Sequence, residues 1–159
     1  MMLGQTVVMR WRWRWRRDPK RGVARGVAVF GPRGFVDDAD GLASLLGRRE
    51  RLAAWLSAEG RSLEETPETL AVVDDLLDGW AMDPEIGPRL VNEVGVFLGC
   101  VMVRVVPGAR WQVWPNGHPV VHLDGGHEYD VVALVEQRLR DNGPGLMEVF
   151  GDAGRRGQS

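Results

Sequence analysis

The sequence predicts an α+β domain, with about four helices packed against a small antiparallel β-hairpin sheet behind a flexible N-terminal arm. Three observations carry that reading. Apolar residues recur at helical spacing in several separate stretches. The pair Asn116-Gly117, favoured in two-residue primed turns, separates two β-prone runs. The basic charge is crowded at one end, where no apolar periodicity exists.

That crowding divides the chain. Residues 1–25 hold Arg10, Arg12, Arg14, Arg16, Arg17, Lys20, Arg21 and Arg25 against Asp18, a charge of +7. The total is -2, so the remaining residues carry −9. The expected organisation is a disordered arm over 1–25, a single α+β domain over 26–152, and a loose tail over 153–159.

Within the domain, Val27–Phe30 reads as a short strand or extended segment, turned by Gly31-Pro32-Arg33-Gly34. Asp40 can cap a first helix, with Leu42, Leu45, Leu46, Leu52, Ala53 and Leu56 on one face and Gly60 as its stop. Thr66-Pro67-Glu68 then supplies a cap, a proline at the first helical position and a carboxylate in the first turn. Leu70, Val73, Leu76, Leu77 and Trp80 form the stripe that follows. Ser62 and Glu65 have capping-box spacing, which predicts a short turn of their own. Asp83-Pro84 opens another turn before Pro88.

From Pro88 to Arg104 the valines favour a strand, but the stretch is too long for one and predicts a mostly buried helix. Gly95 and Gly99, one turn apart, would let another element approach its backbone. Pro107-Gly108 ends it. The hairpin follows, with Arg110–Pro115 and His118–Asp124 as its arms. A two-residue turn places Trp111, Val113, Val120 and His122 on one face, and Arg110, Gln112, Trp114, Pro119, Val121 and Leu123 on the other. Asp130 can cap a final helix bearing Val131, Leu134, Val135 and Leu139. Leu146–Phe150 reads as one further turn.

The strings VGVFLGCVMVRVVPGARWQVWPNGHPVVHL and YDVVALVEQRL, with ETPETLAVVDDLLDGW and the Asp-Pro-Glu turn upstream, resemble a family of uncharacterised bacterial proteins. That family is a domain of unknown function from high-GC species, and the resemblance spans about residues 38–141. It implies a helix at 88–104 followed by a hairpin, and no activity.

Composition excludes several function classes. A lone Cys100 rules out a disulfide framework and a multi-cysteine zinc site within one chain. The longest apolar run, Val94–Val103, has ten residues, half of what a membrane span needs. No signal-length apolar stretch follows the arginines, so the cytoplasm is the expected compartment. Lys20 is the only lysine and Ile86 the only isoleucine, a pattern that GC-rich coding produces. Arginine richness alone is therefore no argument for nucleic-acid binding.

The candidate chemistry is sparse. His118 and His122 lie about 13 Å apart along a strand, too far to share one metal ion. His122 and His127 could meet across Gly125-Gly126 beside Asp124, which leaves a small-molecule enzyme site as one alternative. Cys100 sits in the most apolar helix and reads as structural. Asp74, Asp75 and Asp78 read as a solvated stripe. No phosphate-binding glycine loop or nucleophile elbow is present. No cofactor is expected.

Trp11, Trp13 and Trp15 alternate with arginines, an arrangement suited to a polyanion or an anionic membrane surface through residues 10–25. On the hairpin, Trp114 beside Arg110 and Gln112 has the composition of an interface hot spot. The leading expectation is a non-catalytic cytoplasmic module that binds a protein partner. An accessory protein tethered by its arm, and the enzyme site near His122, Asp124 and His127, are the alternatives.

Overall fold

The computed structural model describes residues 28–30, 49–113, 119–141 and 143–158. The arm, the Asp40 cap, Trp114 and the Asn116-Gly117 turn lie outside the described residues.

Each helix end has an identifiable physical cause. Helix α1 (Glu50–Ala58) closes on Gly60 at φ +71°, with Arg61 N–H donating to Leu56 O and Gly60 N–H to Ser57 O. This is a Schellman stop, and the positive φ is why glycine stands there. Helix α2 (Pro67–Ala81) starts at Thr66, whose hydroxyl accepts from Thr69 N–H. Ser62 and Glu65 form no capping box: Ser62 donates to Glu64, and Glu65 reaches Arg49 and Arg104. Asp83 Oδ1 accepts from Glu85 and Ile86 N–H and leads into α3 (Gly87–Val105).

Helix α3 is the centre of the core. Val94, Phe97, Leu98, Val101 and Met102 are fully buried, and the helix packs against α1, α2, the two later helices and the sheet. Its glycines work as expected. A Cβ at Gly95 would lie 2.8 Å from Val132 Cα, on the backbone of α4 (Val131–Asp141). A Cβ at Gly99 would lie 2.1 Å from Trp111 Cη2.

The sheet is antiparallel in the order β1-β2-β3-β4, formed by Ala28–Phe30, Arg110–Val113, Pro119–His122 and Glu128–Tyr129. β4, a two-residue strand, was not anticipated from the sequence. The hairpin register also differs by one residue from the expected one: Arg110 pairs with His122, Trp111 with Val121, Gln112 with Val120 and Val113 with Pro119. Burial explains the shift. The two-residue turn would have set His122 beside Trp111 in the core, whereas the observed register sets the fully buried Val121 there. Val121 in turn pairs with Tyr129.

Asp130 caps α4 as expected, its Oδ1 accepting from Ala133 N–H. A further helix, α5 (Leu146–Gly157), replaces the expected single turn and loose tail. Leu146, Val149 and Ala153 bury one face of it, so the tail assigned to 153–159 is corrected to helix through Gly157. The described residues thus hold five helices where about four were expected.

Helix α5 begins at Gly145, which has no side chain to cap it. Asp74 of α2 serves instead, with Oδ2 accepting from Met147 N–H at 3.3 Å. Asp74 is therefore not part of a solvated stripe; its side chain is 17% exposed. Replacing Asp74 by Ala should cost about 0.5–2 kcal/mol, the usual loss of a cap. Urea unfolding measures the cost, and faster amide exchange in the first turn of α5 locates it.

Candidate functional site

The site residues expected from the sequence fall into two groups. Trp11, Trp13, Trp15 and Trp114 lie outside the described residues. Arg110 and Gln112 are placed on β2, where Trp111 between them is buried against Gly99 of α3. Strand alternation turns Arg110 and Gln112 to the opposite, outer face.

Register assembles the rest of that face. Arg110 pairs with His122 and His122 with Glu128, so three polar residues form one row across β2, β3 and β4. The neighbouring row is the half-buried Gln112 and Val120, which is buried, so the accessible part of this face is its rim. Beside it, Asp124 ion-pairs with Arg110. The Asp124 side chain is 74% exposed and that of Arg110 31%, so the pair is at the rim. Gly108, at φ +72°, leaves space for the Asp124 carboxylate: a Cβ there would lie 2.4 Å from Oδ2.

His122, Asp124 and His127 are drawn to different places. His122 stands in the outer row and Asp124 is held by Arg110. His127 lies against helix α5, with Arg156 Nη1 at 3.2 Å from each ring nitrogen. Among the described residues, no group of three His, Cys, Asp or Glu side chains is placed to hold a metal ion.

Three titratable groups are displaced from their ordinary behaviour, and each has a structural cause. Burial raises the Glu93 carboxyl above its usual range, against the opposing effect of the Leu52 N–H that donates to it at 2.7 Å. Glu93 thereby caps α1, which has no side-chain cap of its own. Cys100 is pushed up to about 12, chiefly by burial, which keeps it an unreactive thiol. Tyr129 is raised by burial first and then by its hydrogen bond to Asp152 at 2.8 Å.

Other carboxylates tie elements together. Glu65 joins Arg49 to Arg104 of α3 in an open groove of about 660 Å³ lined also by Ala53, Leu63 and Thr66. Arg138 of α4 contacts both Asp74 and Asp78 of α2. Asp152 accepts from Arg156 Nε as well as from Tyr129. Sequence reasoning missed these roles. A signal did exist for Glu93, which shares the buried stripe of Leu90 and Phe97 at helical spacing.

The fold and these side chains define a small α+β domain whose ionisable groups cap helices and bind elements to one another. The chain belongs to the family of unknown function DUF6278, whose model matches residues 7–156. That range includes the Trp11–Arg17 run. No curated protein and no solved structure matches the chain. No described helix is long and apolar enough to cross a membrane.

Proposed function

We propose that the protein is a non-catalytic interaction module of the cytoplasm. On this reading, the rim of that sheet face, at Arg110 and the half-buried Gln112, holds an acidic segment of a partner protein. The observation that carries the reading is the Arg110–Asp124 pair. An ion pair at so exposed a rim contributes about 0–1 kcal/mol, so a partner carboxylate can replace Asp124 on the guanidinium at little cost. Arg110 offers a planar fork suited to a carboxylate, and Gln112 an amide suited to backbone groups. The displaced titratable groups support the non-catalytic part. Glu93 is committed to a helix end, Tyr129 to Asp152 and Cys100 to the core.

The test is affinity capture with the full chain and with residues 1–25 deleted, followed by titration of the captured partner. The deleted chain should retain the partner. Asp124→Asn should tighten binding by up to about fivefold by freeing Arg110, and Arg110→Glu should weaken it by about tenfold or more. Loss of the partner on deleting 1–25, with binding to DNA or anionic liposomes that falls steeply with salt, would favour the arm instead.

A further inference from the structure

We infer that the solvent face of α2 is a docking surface for the chain's own basic arm, residues 10–25. This surface is separate from the rim at Arg110 and stands apart from the partner reading. Charge is unevenly placed in the folded part of the chain as well as in the arm. Residues 62–88 hold eight Asp and Glu side chains, from Glu64 to Glu85, and no basic residue. The chain beyond residue 25 totals −9, so nearly all of that excess sits on α2 and its flanks. The arm, at +7, is its counterpart within the same chain.

Part of the negative charge is engaged inside the fold. Glu65 holds Arg49 and Arg104, Arg138 contacts Asp74 and Asp78, and Asp83 accepts from Glu85 and Ile86 N–H. Glu68 and Asp75 are exposed and meet no basic side chain among the described residues. They stand seven residues apart, opposite the buried stripe of Leu70, Val73, Leu77 and Trp80. Seven residues further along the same face, Met82 is 83% exposed. The half-buried Val72 lies between the two carboxylates. One line along the helix thus presents anionic and apolar groups together, without a partner.

The arm has the matching composition and length. Trp11, Trp13 and Trp15 alternate with Arg12, Arg14 and Arg16, which supplies guanidiniums for the carboxylates and indoles for Met82 and Val72. From Trp11 to Arg17 an extended chain covers about 20 Å, and Glu68 to Met82 covers about 21 Å of helix. The arm joins the domain at β1, whose Ala28 pairs with Val113. From Trp15 to Ala28 the chain can span up to about 43 Å, against a radius of gyration of about 14 Å for a domain of this size, so α2 is within reach. Tethering raises the effective concentration to the millimolar range, where weak ion pairs suffice for docking. The end of α5 and the sheet rim suit the arm less, since Arg155, Arg156 and Arg110 carry its own sign.

The test places a nitroxide at Met9→Cys in the full chain and reads paramagnetic broadening of the backbone amides by NMR, with the buried Cys100 left unlabelled. Broadening is expected at residues 68–82, and it should fall by about threefold or more as salt rises from about 0.05 M to about 0.5 M. Arg12→Gln, Arg14→Gln and Arg16→Gln together should remove most of it. Glu68→Gln with Asp75→Asn should do the same, and both are exposed positions whose change leaves the packed side of α2 intact. Broadening spread evenly over the surface, concentrated on another face, or indifferent to these substitutions would overturn the docking. So would broadening that arises only between a nitroxide-bearing copy and a separate isotope-labelled one, because that contact is between chains.

Discussion

Gly99→Ala is expected to destabilise the protein by about 1–3 kcal/mol, although alanine is the better helix former by about 1 kcal/mol. The new Cβ would fall 2.1 Å from Trp111 Cη2 and 2.5 Å from Cζ2, and the indole it meets is buried between sheet and helix. A packed ring cannot swing away without disturbing Val121, the core residue paired with it across the strands, which in turn pairs with Tyr129. Trp111→Ala alone should cost about 3–5 kcal/mol, as for other buried aromatics. The informative measurement is the double-mutant cycle by urea denaturation. In the Trp111→Ala background the clash disappears, so Gly99→Ala should become neutral or stabilising. Additive effects would show that the two residues do not meet. Gly95→Ala offers no such rescue, because its Cβ would strike the backbone of Val132 at 2.8 Å.

Glu93→Ala should cost about 1–3 kcal/mol, since it leaves the amide of the fully buried Leu52 without its acceptor. Glu93→Gln keeps an acceptor oxygen and removes the charge. The pH dependence separates the two effects. Burial raises the folded-state value of Glu93 above the ordinary 4.5, so the native state holds its proton more tightly than the unfolded chain. Its contribution to stability is full below that ordinary value and is lost as pH rises through the folded one. Wild-type stability should therefore decline with rising pH in that window relative to Glu93→Gln, whose curve is flatter. A wild type that gains on Glu93→Gln as pH rises would contradict a carboxyl raised by burial.

Local signals foretold local structure. The Thr66-Pro67 start, the Asp130 cap, the Gly60 stop and the span of α3 each depend on residues within a turn of one another. The paired glycines of α3 were also legible, because their spacing on one face has few other uses. What escaped depends on distant residues. Helix α5 carries Gly151, Gly154 and Gly157, a composition of poor helix propensity, and it forms because Leu146, Val149 and Ala153 find the core. Asp74 and Glu93 cap helices that are remote in sequence, so no local pattern reveals them. The hairpin register followed the burial of Val121 in preference to the turn preference of Asn116-Gly117.

Of the candidate site, the alternation along β2 was readable, and Arg110 and Gln112 share the outer face that alternation requires. Their neighbours were not readable, because His122 and Glu128 join that face only through the shifted register. The exposed Asp124 on Arg110 is likewise a product of the fold, and it is the feature on which the interaction reading depends.

That reading is tested most directly by a hydrogen-exchange footprint of the protein with its captured partner. Protection is expected on residues 110–113 and 119–122, unchanged when residues 1–25 are deleted and lost in Arg110→Glu. Protection confined to residues 1–25, or to the groove between Arg49 and Glu65, would contradict it.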